Sequence, residues 1–178
     1  MRNTARLFQE GGAAAVKLEG GRAVANTVRR LTMAGLPVMG HLGLTPQYVH
    51  QLGGMQPQAR NDKAAQELIL DACALEDAGA FAVVLEAIPD AVAEAVTSKL
   101  RIPTIGIGAG PHCDGQVLVS HDVLGLFDTF VPPFVKQYAQ LGEMIINAAK
   151  NYANDVREGV FPQPAVARRD HAAVLAAL

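Results

Sequence analysis

The sequence contains no tryptophan, only two cysteines and no long apolar run, and these absences exclude several classes of protein. Two cysteines cannot supply the disulfide framework of small extracellular domains, so we expect reduced thiols. No apolar stretch approaches the roughly 20 residues that a membrane-spanning helix needs. The first residues, MRNTARLFQEGG, lack an apolar signal core, which favours a cytoplasmic location over secretion.

The sequence also has no large excess of positive or of negative charge. The chain has 15 Lys and Arg against 17 Asp and Glu, and the basic pairs Arg29-Arg30 and Arg168-Arg169 stand alone. This balance favours neither nucleic acid nor an acidic membrane as a partner. Apolar residues are abundant by contrast, at 50% of 178 residues, which is enough for one sizeable core.

The spacing of apolar and turn residues predicts alternating strands and helices. Strands are predicted at residues 13–18, 36–44, 81–89 and 102–110, and helices at residues 22–34, 63–78 and 90–100. Asp90 is predicted as the cap of the third of these helices. Strands that alternate with helices at this spacing predict an α/β protein with a parallel sheet.

The C-terminal third is harder to interpret. The stretch DGQVLVSHDVLGL fits no single element. We predict a last strand at Phe127 to Val131 and a long helix from Val135 to Arg157.

Polar residues mark where a site could lie. The glycines Gly106, Gly108 and Gly110 reproduce neither phosphate-binding fingerprint, so a dinucleotide-binding fold is not favoured. Polar side chains stand instead where predicted strands end: Lys17, Glu19, His41 and Glu86. A (β/α)8 TIM barrel builds its active site at that edge, but only about five strands can be identified, so the predicted barrel is incomplete.

Each polar residue has a functional and a structural interpretation. Lys17 and Glu19 share one face of a strand, either as a site or as a self-compensating pair in solvent. Glu86 follows four apolar residues and could serve as a general base, or could simply have reached solvent. His41 stands alone in an apolar strand, where a hydrogen-bonded core histidine is the more frequent case.

Taken in order, the motifs VKLEGG, GHLGLTPQ, VLEAIP, IGIGAGPHCDGQVLV and FVKQYA resemble the ketopantoate hydroxymethyltransferase family. The resemblance runs from about Leu7 to Phe161. It implies a barrel of the phosphoenolpyruvate/pyruvate type. It also implies transfer of a one-carbon unit from 5,10-methylenetetrahydrofolate to 3-methyl-2-oxobutanoate, which gives 2-dehydropantoate.

The resemblance assigns a role to each polar residue. Lys17 binds the oxo acid, His41 lies beside the substrate, and Glu19 belongs to a Mg²⁺ site. Glu86 is the proton acceptor of the reaction. Such a protein is expected to bind small molecules and to form a homo-oligomer, a decamer in the family.

The chain also departs from the family pattern. The resemblance places VKLEGG on the fourth strand, so strands four to eight are expected here and the first three, with a D-S-L-G motif and an aspartate that ligate Mg²⁺, are not. A loop that usually reads V-Q-G-R reads PQAR, ending at Arg60. We therefore expect a partial barrel domain over residues 1–161 and a divergent tail over residues 162–178.

Three hypotheses follow. The chain is the larger part of a working transferase whose first strands are missing because of a late start codon, or it is a non-catalytic remnant or an oligomer-forming fragment. The third possibility is a related lyase of the phosphoenolpyruvate/pyruvate type. The motifs GHLGLTPQ and GAGPHCDGQ argue against that third hypothesis.

Overall fold

The structure is a computed structural model and describes residues 1–127 and 129–163. Five strands form one parallel sheet in which the spatial order follows the chain order. They are β1 (Val16–Glu19), β2 (Val38–Gly43), β3 (Ala82–Glu86), β4 (Thr104–Ile107) and β5 (Gly115–Gln116). The predicted parallel α/β architecture is confirmed.

Six α-helices and one 3-10 turn accompany the sheet in the described residues. They are α1 (Arg2–Gln9), α2 (Arg22–Met33), a 3-10 helix (Pro46–Tyr48), α3 (Asp62–Asp77), α4 (Asp90–Lys99), α5 (Ser120–Val123) and α6 (Leu141–Arg157). The first four predicted strands and the three predicted helices between them are confirmed to within a few residues at each end. Helix α1 has no counterpart among the predictions.

The core lies between the sheet and helices α2 to α4. Fully buried side chains include Val28 and Leu75 on the helices and Val83 and Leu85 on β3. Gly40 faces α3, where a Cβ would lie 2.7 Å from Leu75 Cδ1, so its missing side chain lets the helix approach the sheet. Because strand residues alternate between faces, Lys17, Glu19, His41 and Glu86 point to the opposite face of the sheet.

The predicted cap of α4 was wrong by one residue. Pro89 occupies the cap position, and Asp90 is the first helical residue, with Oδ1 accepting a hydrogen bond from the Ala91 amide at 2.9 Å. A carboxylate in the first turn still interacts favourably with the helix dipole.

The predicted strand at Phe127 to Val131 was wrong. Phe127 and Thr129 to Val131 form no strand, and Asp128 lies outside the described residues. Pro132 and Pro133 follow directly and have no N–H to donate to a ladder. Phe130 is 65% exposed, so the apolar run is not buried between neighbours as a central strand would be.

The long C-terminal helix begins at Leu141 and not at Val135. The amides of Tyr138 and Leu141 donate to the carbonyls of Val123 and Leu124, at 2.8 and 3.0 Å. Amides bonded to the turn after α5 cannot also close the first turns of a helix, so α6 begins later than its apolar spacing predicts.

The chain divides into two compact units, Met1–Leu118 and the residues from Val119 onward. The first holds the sheet and helices α1 to α4, and the second holds α5 and α6. No helix in the described part of the chain has the length and apolarity to cross a membrane. The expected boundary at residue 161 stays a prediction, and residues 164–178 of the expected tail lie outside the described residues.

Candidate active site

The four polar residues singled out in the sequence lie together at the carboxyl edge of β1, β2 and β3. In the parallel register Glu19 pairs with His41, and Gly43, two residues further along β2, pairs with Glu86. Even steps along a strand keep one face, so all four side chains share the face opposite the helices.

His41 is the centre of this cluster. Lys17 Nζ lies 3.2 Å from His41 Nδ1, and Glu86 Oε2 lies 3.0 Å from His41 Nε2. Glu19 Oε1 is more distant, at 3.7 Å from Nδ1. The His41 side chain is 1% exposed, against 12% for Glu19 and 18% for Glu86, so both carboxylates reach solvent while the imidazole does not.

The contact between His41 and Glu86 is close but not an aligned hydrogen bond. The distance of 3.0 Å is within hydrogen-bond range, yet Nε2 lacks a partner in good hydrogen-bond geometry. Both observations hold if Glu86 Oε2 lies away from the direction in which a hydrogen on His41 Nε2 would point. The attraction between the two groups is then electrostatic and is not an aligned hydrogen bond. A small rotation of either group, or a ligand oxygen, could satisfy the buried nitrogen.

The backbone after β2 fixes Glu19. The amide of Gln47, in the 3-10 helix, donates to Glu19 Oε2 at 2.9 Å. Amides at a helix start have no partner within the helix, so they are free to bind a carboxylate. One oxygen of Glu19 is thereby engaged, and Oε1 faces the cluster.

A cation and two acids flank the cluster without joining it. Arg22, at the start of α2, contacts Asp71 at 2.7 Å and also Glu67 on α3. Hydrogen bonds with Asp71 and then Glu67 raise the pKa of Arg22 above its ordinary value. A cleft of about 500 Å³ is lined by Glu67, Asp71 and Gly43 but by none of the four cluster residues. We take the cluster and not this cleft as the candidate site, because Glu67 and Asp71 beside the cleft are already paired with Arg22.

A Mg²⁺ ion would require more ligands than the cluster provides. Mg²⁺ prefers six oxygens in octahedral geometry. Glu19 is the single ligand that the sequence predicted, and one of its oxygens is already bonded to Gln47. Within the described residues, no group of three or more His, Cys, Asp or Glu side chains is placed to hold a metal ion. These residues therefore do not fit a complete magnesium site.

The PQAR loop lies against the end of β3 under backbone strain. The Gln58 amide donates to the Ala87 carbonyl at 2.9 Å. Ala59 and Ala87 have φ of 55° and 48°, in the left-handed region that favours glycine. The loop thus holds an alanine, Ala59, at a backbone position that suits glycine better.

This strain predicts an unequal effect of one substitution at two buried alanines. Ala59→Gly relieves a left-handed conformation that costs an alanine about 1–2 kcal/mol, whereas Ala82→Gly in β3 relieves none. Both alanines are buried, so the loss of the methyl group is similar. We expect Ala59→Gly to destabilise the chain by about 1–2 kcal/mol less than Ala82→Gly in urea denaturation. Equal losses would show that Ala59 is not strained.

Two contributors to the site were not found from the sequence. The Gln47 amide acts through its backbone, and its one sequence signal is Thr-Pro-Gln, since proline favours the first position of a helix and leaves the next amide free. Gly43 is the second contributor to the site that was not found from the sequence. It has φ of 90°, and a Cβ there would overlap the Glu86 carbonyl oxygen.

The fold and the site together define a parallel α/β protein with a lysine, a histidine and two glutamates clustered at the carboxyl edge of its sheet. A family model described as ketopantoate hydroxymethyltransferase matches residues 1–164. The chain belongs to the ketopantoate hydroxymethyltransferase family. The resemblance recognised in the motifs is thus confirmed.

Curated relatives carry the name 3-methyl-2-oxobutanoate hydroxymethyltransferase. A relative from Moorella thermoacetica is 58% identical over 160 residues, which cover 90% of this chain and 60% of the relative. One from Heliobacterium modesticaldum is 57% identical over 164 residues, covering 92% and 59%. One from Oleidesulfovibrio alaskensis is 59% identical over 162 residues, covering 91% and 56%. The chain therefore spans about 60% of the length of the curated relatives it matches.

Proposed function

We propose that the protein transfers a hydroxymethyl group from 5,10-methylenetetrahydrofolate to 3-methyl-2-oxobutanoate and forms 2-dehydropantoate. The observation that carries the proposal is the convergence of Lys17, His41 and Glu86 at one edge of the sheet. A fixed cation beside a carboxylate is what a small 2-oxo acid needs for binding and for loss of a proton.

The sheet is proposed to be part of a (β/α)8 barrel, with β1 to β5 as its fourth to eighth strands. The strand order is sequential, and crossovers between parallel strands are right-handed in nearly all proteins, which puts the helices on one face, as in a barrel and unlike a doubly wound sheet. Packing of α3 against both α2 and α4 is consistent with this arrangement.

Lys17 and Glu86 have separate tasks in the first half of the reaction. The Lys17 ammonium holds the substrate carboxylate as a point charge. Glu86 takes the proton from C3, and the electron pair of the broken C–H bond forms the enolate. His41 lies beside the substrate. The carboxylates of Glu19 and Glu86 are partly exposed, so a substrate can reach them from solvent. His41 is buried, so it can contact a substrate only after that substrate has entered the cluster.

In the second half, C3 of the enolate bonds to the one-carbon unit of the folate. With one water consumed, the product carries the hydroxymethyl group and tetrahydrofolate leaves. Glu19 remains our proposed ligand for Mg²⁺, although a single carboxylate does not make a complete site. Neither half of the reaction as described here uses the ion.

Assembly and location are part of the same proposal. We propose a homo-oligomer in the cytoplasm, with small molecules as substrates and no nucleic-acid or membrane partner. Large apolar side chains on α6 support an assembly, since Met144, Ile145 and Tyr152 are 63%, 58% and 59% exposed.

The proposal is tested by hydrogen exchange at C3. We define the completed fusion as this chain joined to the part of the Moorella thermoacetica relative that their match leaves uncovered. In D₂O the completed fusion should introduce deuterium at C3 of 3-methyl-2-oxobutanoate without folate. The analogue 3,3-dimethyl-2-oxobutanoate has no C3 hydrogen and is the matched control for binding. A folded fusion that binds both acids but introduces no deuterium into 3-methyl-2-oxobutanoate would exclude the proposed base chemistry.

A further inference from the structure

The contact between Lys17 and His41 determines where the imidazole carries its hydrogen. Lys17 Nζ lies 3.2 Å from His41 Nδ1. An ammonium group has three donors and no acceptor. The ring nitrogen must be the acceptor in this contact and therefore carries no hydrogen. A neutral imidazole with a bare Nδ1 has its hydrogen on Nε2.

The other tautomer fits the surroundings less well. A hydrogen on Nδ1 would oppose the Lys17 ammonium, and the carboxylate available to accept it, Glu19 Oε1, is 3.7 Å away. That distance is beyond a hydrogen bond. A bare Nε2 would then face Glu86 Oε2 at 3.0 Å, with two acceptors in contact around an imidazole that is 1% exposed. Burial makes such an unpaired contact costly.

We infer that Lys17 fixes His41 as the Nε2–H tautomer and that His41 is a positioning residue for Glu86. The positive end of the Nε2–H dipole lies 3.0 Å from Oε2 of the Glu86 carboxylate and attracts it, which leaves Oε1 for the proton from C3. The tautomer follows from the contacts alone, and only the task of Glu86 rests on the proposed function. A single histidine thus connects the group that binds the oxo acid to the group that takes its proton.

Nitrogen NMR of the 178-residue chain tests the tautomer directly. Labelling of histidine nitrogens distinguishes a bare from a hydrogen-bearing ring nitrogen, and solid-state spectra serve if the chain assembles. The His41 signals are those that disappear in His41→Gln. We expect a bare Nδ1 and a hydrogen on Nε2. A hydrogen on Nδ1 in the unsubstituted chain would overturn the inference.

The part played by Lys17 is tested with a variant of similar length. Lys17→Met removes the ammonium that opposes a hydrogen on Nδ1, so the Nδ1–H form should become detectable beside the Nε2–H form that Glu86 still favours. Lys99→Met, at the exposed end of α4, is the matched control and should leave the spectrum unchanged. An unchanged tautomer in Lys17→Met would show that Lys17 does not fix it. This readout needs no activity, so it can succeed even where the proposed function fails.

The positioning role of His41 is tested in the completed fusion by replacing His41 with two amide side chains of different length. The glutamine amide of His41→Gln reaches the place of Nε2, whereas the asparagine amide of His41→Asn reaches that of Nδ1. We expect C3 deuterium exchange to be about tenfold faster in His41→Gln than in His41→Asn, because only the glutamine amide can contact Oε2 of Glu86; tenfold corresponds to about 1.4 kcal/mol of barrier. Equal rates in two folded variants would overturn the positioning role.

Discussion

Replacement of Glu86 by glutamine is expected to slow deuterium exchange at C3 of 3-methyl-2-oxobutanoate about a thousandfold in the completed fusion. A positioned general base contributes roughly a hundredfold to ten-thousandfold. Glutamine has nearly the same shape and can still contact His41, but its amide cannot take a proton from C3. A thousandfold loss corresponds to about 4 kcal/mol of barrier.

Glu143→Gln makes the same chemical change on the exposed surface of α6 and should leave the exchange rate unchanged. Binding of the oxo acid should survive Glu86→Gln, because we propose that Lys17 holds the substrate carboxylate. If Glu86→Gln exchanged at the unsubstituted rate, the base would have to be another residue.

Gly43→Ala is expected to be the most damaging small substitution near the site. Gly43 has φ of 90°, and a Cβ there would overlap the Glu86 carbonyl oxygen and lie 2.8 Å from Ile88 Cγ2. A left-handed alanine costs about 1–2 kcal/mol, and overpacking adds about 1–3 kcal/mol. Because Glu86 is the residue displaced, exchange at C3 should fall together with stability.

Gly35→Ala separates these two effects. Gly35 has φ of 80°, but a Cβ there would meet nothing within 4 Å. In urea denaturation Gly43→Ala should therefore lose about 1–3 kcal/mol more than Gly35→Ala. A similar loss for both variants would mean that β2 and β3 separate easily and that Gly43 does not constrain Glu86.

Much of this site was predictable from the sequence because successive side chains of a strand alternate between the two faces of a sheet. The two-residue spacing of Lys17 and Glu19 placed them on one face, and a polar residue after an apolar strand located Glu86. The strands themselves followed from apolar runs that helices α2 to α4 bury. These are local patterns, so no knowledge of distant contacts was needed.

The relations between these residues could not be predicted in the same way. His41 alone looked like a core histidine, and it is nearly completely buried, but its contacts join residues 24 and 45 positions away. The Gln47 amide belongs to the backbone and leaves no mark in the identity of its side chain. The start of α6 depends on hydrogen bonds to the turn after α5, which apolar spacing does not encode.

We propose that this chain carries the catalytic residues of a hydroxymethyl transfer to 3-methyl-2-oxobutanoate. The most direct test of this claim is product formation by the completed fusion, supplied with 3-methyl-2-oxobutanoate and 5,10-methylenetetrahydrofolate. We predict that 2-dehydropantoate and tetrahydrofolate form in equal amounts, and that Glu86→Gln abolishes both. A folded fusion that forms neither product, or one in which Glu86→Gln remains fully active, would contradict the claim.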